Sequence, residues 1–143
     1  INLHSPIISE YSSVIAKVNE IRKILKKYQI NFSKKYKNCC LEGRDISTKI
    51  LPKSDIKFFF KCSLEIASKR RCKELRMKDS KIKLKDVKKA LRIRNISDTT
   101  RKNSPLLKHR DSVEIDTGKL DKSAMLAKMS KYVERVLKKK YVK

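Results

Sequence analysis

Residues 55–62 read DIKFFFKC, three consecutive phenylalanines flanked by Lys57 and Lys61. The run is apolar without alternation, the pattern of a short strand covered on both faces. Ser63 follows at once and can cap a helix, because its hydroxyl can accept from a backbone amide of the first turn. That helix directs Leu64, Ala67 and Leu75 inward and Lys69, Arg70, Arg71, Lys73 and Arg76 mostly outward. KDSKIK at 78–83 reads as a mobile connection, a further helix runs from about Leu84 to Lys102, and SVEID at 112–116 reads as another strand. Strand, helix and strand in succession imply an α/β fold built on a parallel sheet with right-handed crossovers.

Outward from this unit, Ile8, Tyr11, Ile15, Val18, Ile21, Leu25 and Tyr28 step by three or four, which predicts helix from Ser5 to about Lys35, in one or two pieces. NCCLE at 38–42 reads as a short buried strand. Gly43 after it permits a sharp turn or the close approach of a ligand, for want of a Cβ. Downstream, Gly118 marks a turn, Met125, Met129, Tyr132 and Val136 form the apolar face of a last helix, and LKKKYVK is its fraying end. The 143 residues are read as a single domain.

The formal charge of +24 suits nucleic acid or an anionic surface, yet the 29 lysines are spread over every segment, as on a solvated surface. Seven of the ten arginines fall between Arg70 and Arg110, and a guanidinium is a planar fork suited to phosphate. Cys39, Cys40, Cys62 and Cys72 show no C-x-x-C spacing and have only His4 and His109 as companions, which argues for reduced thiols in a cytoplasmic protein and against a zinc site. No apolar run approaches the roughly 20 residues of a bilayer span.

Two constellations carry chemistry. Arg44 and Asp45 follow Gly43 at a predicted strand end, where ligands of parallel sheets bind, and read equally well as a salt bridge on a surface loop. Val87, Leu91, Arg94, Asp98 and Arg101 share one helical face that begins apolar and continues charged, leading either into an anion-binding cleft or into an internal Arg and Asp ladder.

LEGRDISTKILP, the KFFF strand, ASKRRCKEL, RNISDTTRKNSPL and EIDTGKLD, in that order, resemble the bacterial cytidylate kinases, the (d)CMP kinases among the P-loop nucleoside monophosphate kinases. SSVIAKVNEIRKIL resembles that family's helix with a Ser and an Arg nine residues apart. The resemblance covers essentially the whole chain. It implies that Ser13, Arg22 and Asp45 read the cytosine base, that Arg44 and Arg101 hold the CMP phosphate, and that Arg94 and Asp98 contact the sugar. Arg70 and Arg71 would approach ATP phosphates as a lid around residues 76–85 closes, and residues 1–35 would form a helical CMP-binding region. Arg94-Asn95 departs from the family's usual Arg-Asp.

No G-x-x-x-x-G-K-[ST] occurs, and two glycines could not make it. The expectation is therefore a P-loop kinase fold incomplete at its N-terminus. As a whole protein it would transfer the γ-phosphate of ATP to CMP or dCMP, with Mg²⁺ carried by ATP and its ligands largely outside this chain. The isolated chain would be inactive. The partners implied are CMP or dCMP and ATP, with no specific nucleic acid, no membrane and a monomeric state. The competing expectation is a non-catalytic, basic, nucleic-acid-binding remnant of a kinase fold.

Overall fold

The computed structural model describes residues 6–36 and 38–141. The chain divides into two compact units, Ile1–Pro52 with Ile96–Leu107, and Lys53–Asn95 with Lys108–Lys143.

The second unit contains β1 (Phe58–Lys61), α3 (Leu64–Arg76), most of α4 (Leu84–Thr100), β2 (Val113–Asp116) and α5 (Lys122–Tyr141). β1 and β2 pair in parallel, Phe58 opposite Val113 and Lys61 opposite Asp116, as the strand, helix and strand order predicts. Ladder-like bonds extend the pairing at both ends, from the Val113 amide to the Lys57 carbonyl at 2.8 Å and from the Thr117 amide to the Lys61 carbonyl at 2.9 Å. Ser63 caps α3 as expected, its hydroxyl accepting from the Ile66 amide at 3.2 Å. Ile115 and Ser68 are fully buried, with Cys72 and Val87 nearly so. The phenylalanine run departs from its reading as doubly covered: Phe58 packs edge-on against Tyr132 of α5, whereas Phe60 is half-exposed. Phe58 and Phe60 project to the same face of β1, and the cover that Tyr132 gives Phe58 does not extend over Phe60. The 78–83 connection is hydrogen-bonded: the Lys78 and Asp79 amides bond the Leu75 carbonyl, and the Ile82 carbonyl accepts from Arg76 Nε at 2.8 Å.

The first unit holds α1 (Pro6–Ile15), α2 (Asn19–Lys35), a single π-helical turn (Ile46–Ile50) and the last residues of α4. The predicted N-terminal helix is thus two helices, parted by a hydrogen-bonded turn at residues 16–18. α2 packs against the π-helical turn, and none of its side chains is fully buried. Leu25 and Tyr28, placed on an apolar stripe by their spacing, are exposed.

NCCLE is not a strand. Residues 39–43 run without regular structure, Cys40 exposed and Cys39 half-buried. A strand exists only through ladder bonds to a neighbour, and among the described residues the only ladder is between β1 and β2. No helix among the described residues is long and apolar enough to cross a membrane.

Candidate functional site

Among the described residues of the first unit, Asp45 (6% exposed), Asp98 (4%) and Ile50 (8%) are buried. Two carboxylates therefore hold core positions, which proteins avoid unless each charge is paired. Both are paired with arginine. Asp45 forms an ion pair with Arg22, whose guanidinium also donates to the Ala16 carbonyl at 3.2 Å. Asp98 stands between two guanidiniums, with Arg44 Nε at 3.2 Å from Oδ2 and a terminal Arg101 nitrogen at 3.3 Å from Oδ1.

Local sequence explains how these groups are held. Asp45 begins the π-helical turn, and its carbonyl accepts from the amides of Thr48, Lys49 and Ile50 at 3.3, 2.9 and 3.3 Å. Single π-turns of this kind recur at functional sites because they re-aim side chains. A special dihedral does not account for Gly43. Its φ is not positive, and a Cβ at this position would stand 2.8 Å from Ile46 Cγ1. The glycine makes room for the first residue of the turn.

On α4, Val87 and Asp98 are buried while Leu91 and Arg94 are half-buried, so the face read from the spacing is the covered one. Beyond α4 the chain closes a turn: Arg101 Nε donates to the Ser104 carbonyl at 2.7 Å, and the Leu106 amide donates to the Asp98 carbonyl at 2.7 Å. Ser104 has φ 52°, in the left-handed region.

A cleft of about 610 Å³ opens within this unit, with Ser12, Arg22, Gly43, Asp45, Asn103 and Ser104 among its lining. Of the residues singled out in the sequence, Arg22 and Asp45 line it, and Arg44, Asp98 and Arg101 are joined to one another by ion pairs. The Ser13 side chain lies outside the described residues. Arg94 belongs to the other unit, as do Arg70 and Arg71. Arg70 donates to the Thr117 carbonyl at 2.7 Å and Arg71 to Glu74 at 2.8 Å. Sequence reasoning missed Asn19 and Asn103, whose side chains bond each other at 2.6 Å at the cleft. No periodicity marks them; Asn-Ser-Pro at 103–105 signals only a turn.

No group of three His, Cys, Asp or Glu side chains converges as a metal site among the described residues. What the unit offers is chemistry for an organic anion: three guanidiniums and two carboxylates ordered in advance, with a cleft beside them.

The cytidylate kinase family profile matches residues 1–135. A cytidylate kinase of Clostridium botulinum (strain Langeland) is 37% identical over 134 residues, covering 94% of this chain and 61% of the relative. One from strain Hall is 41% identical over 116 residues, covering 81% of this chain and 53% of the relative. One from Rickettsia akari is 33% identical over 134 residues, covering 94% and 61%. The chain thus spans between half and two thirds of the length of these relatives. With the parallel β1 and β2 and the paired arginines in place, the match over nearly all of the sequence makes this chain a member of the cytidylate kinase family.

Proposed function

We propose that this chain supplies the acceptor side of an ATP:CMP phosphotransferase, binding CMP or dCMP in the cleft of the first unit. The observation that carries this reading is Asp98, a buried carboxylate holding Arg44 and Arg101 together, beside the pair that the half-buried Arg22 forms with the buried Asp45. Two guanidiniums fixed by one carboxylate form a preorganised fork for a phosphate monoester, which two flexible lysines would not. Asp45 accepts hydrogen bonds, as the exocyclic amine of cytosine requires, and Arg22 donates them, as the ring nitrogen and carbonyl oxygen require. Uracil presents an oxygen where cytosine presents the amine, which sets it against Asp45.

In the proposed reaction an oxygen of the CMP phosphate attacks the γ-phosphorus of ATP in line. The bond from that phosphorus to the bridging oxygen breaks, and ADP leaves. No protein nucleophile is involved, and positioning with charge stabilisation carries the catalysis. Arg44 and Arg101 neutralise and align the acceptor phosphate, and Asp98 contacts the sugar. Arg70 and Arg71 turn to the ATP phosphates by exchanging their bonds to Thr117 and Glu74. Mg²⁺ would come with ATP and offset charge on its phosphates; among the described residues no group of three His, Cys, Asp or Glu side chains converges to hold it. The sequence contains no G-x-x-x-x-G-K-[ST], so these 143 residues alone bind the acceptor without supplying that cradle for the donor.

Steady-state kinetics on the full-length protein test the reading. Arg101→Ala is expected to lower kcat/KM for CMP by about a hundredfold, the scale for truncating one partner of a desolvated charge pair. Asp45→Asn narrows the preference for CMP over UMP. Unchanged values would remove the two residues from phosphate and base recognition respectively.

A further inference from the structure

We propose that Asn19 and Asn103 form a positioning bridge that sets the span between the base-reading and phosphate-holding ends of the nucleotide site. The inference rests on the reading of the cleft as a CMP site. The Asn103 side-chain amide donates to Asn19 Oδ1 at 2.6 Å, joining residues 84 positions apart in sequence. Both line the same cleft as Arg22 and Asp45.

Each asparagine is tied to one end of the site. Asn19 is the first residue of α2 and precedes Arg22 by three positions, so the two share a helix face. Asn103, exposed like Asn19, follows Arg101 by two positions within a hydrogen-bonded turn. Arg101 Nε bonds the Ser104 carbonyl, Arg101 pairs with Asp98, and the Leu106 amide returns to the Asp98 carbonyl. Ser104 occupies the left-handed region at φ 52°, which side chains adopt at a cost. That turn holds its shape, and the bridge transmits the shape to the start of α2.

The chemistry of the pair suits a spacer. A CMP molecule needs its base and phosphate sites at a fixed separation, so loosening the spacer weakens CMP binding before it touches the chemical step. Two neutral amides supply that tie without adding charge beside the arginines that receive the phosphate. Each amide carries both a donor and an acceptor, so the bond survives a flip of the two together. Both residues act through Arg22 and Arg101.

A double-mutant cycle on the full-length protein, read as CMP kinetics at saturating ATP, tests the bridge. Asn19→Ala and Asn103→Ala are each expected to raise the KM for CMP by about three- to tenfold, the worth of one hydrogen bond, with kcat within about twofold. The double alanine variant should be no worse than either single, because both changes break the same bond. Asn19→Asp and Asn103→Asp should each keep the KM below that of the alanine variants, since the facing amide can still donate. The double aspartate variant sets two acceptors face to face and should raise the KM beyond the sum of its singles. Where an alanine variant loses its fold in a thermal melt, the aspartate series, which preserves side-chain volume, decides. Additive effects in both series, or an unchanged KM, overturn the bridge while leaving the CMP site standing. A wild-type protein that shows no saturable turnover of CMP overturns the reading of the cleft and the bridge with it.

Discussion

Asp98 shows what a single residue contributes here. Its carboxylate is buried and faces Arg44 and Arg101, and its backbone carbonyl closes the 98–106 turn. Removing one partner of a buried ion pair leaves the other charge without solvent or counter-ion, which costs far more than the pair contributes relative to an apolar replacement. Asp98→Asn is therefore expected to destabilise the protein by about 3 to 5 kcal/mol in denaturant unfolding. A loss below about 1 kcal/mol would mean that water already screens the pair. The charged stripe at Arg94, Asp98 and Arg101 was legible from spacing alone. That Asp98 takes Arg44 as a second partner was not, because 54 residues separate them and no local pattern links the two.

At the scale of elements, the β1 and β2 ladder carries a surface triad in which Glu114 pairs with Lys61 and with Lys108, the latter at 3.2 Å. The Lys61 hydrogen bond, then that from Lys108, holds the Glu114 carboxyl below the usual glutamate range. Lys61 is raised, first by the same hydrogen bond and then by the Glu114 charge. The depressed carboxyl contributes stability above the ordinary glutamate range, lost as pH falls through its lowered value. The raised amine contributes stability below the ordinary lysine range, lost as pH climbs through its elevated value. Glu114→Gln should thus flatten both the acid and the alkaline limbs of a plot of Tm against pH. Parallel profiles for variant and wild type would show that the triad adds nothing to folding. Among the elements themselves, β1, β2 and the Ser63 cap were read correctly because each has a local signature. NCCLE has an apolar signature too, but strand formation needs a neighbour that its own residues do not specify.

Over the whole molecule, 39 basic residues stand against 15 acidic ones, and the surface repels itself. Raising the salt from about 0.02 to about 0.5 M shortens the screening length several-fold, so Tm should rise along that series. A flat response would mean that local pairing already neutralises the repulsion. Net charge alone would have sent the reading toward nucleic acid, and the particular arginines redirected it, since GRD and the Arg94, Asp98, Arg101 spacing matched one family in order. The sequence by itself determined the covered face of α4, the parallel pairing of β1 and β2 and the family, because periodicity, capping and motif order are local or linear properties. The tertiary structure decided which carboxylate holds which arginine, why Gly43 must lack a side chain, and that Asn19 meets Asn103. Those are meetings of residues distant along the chain or side chains brought together by a turn, and packing alone sets them.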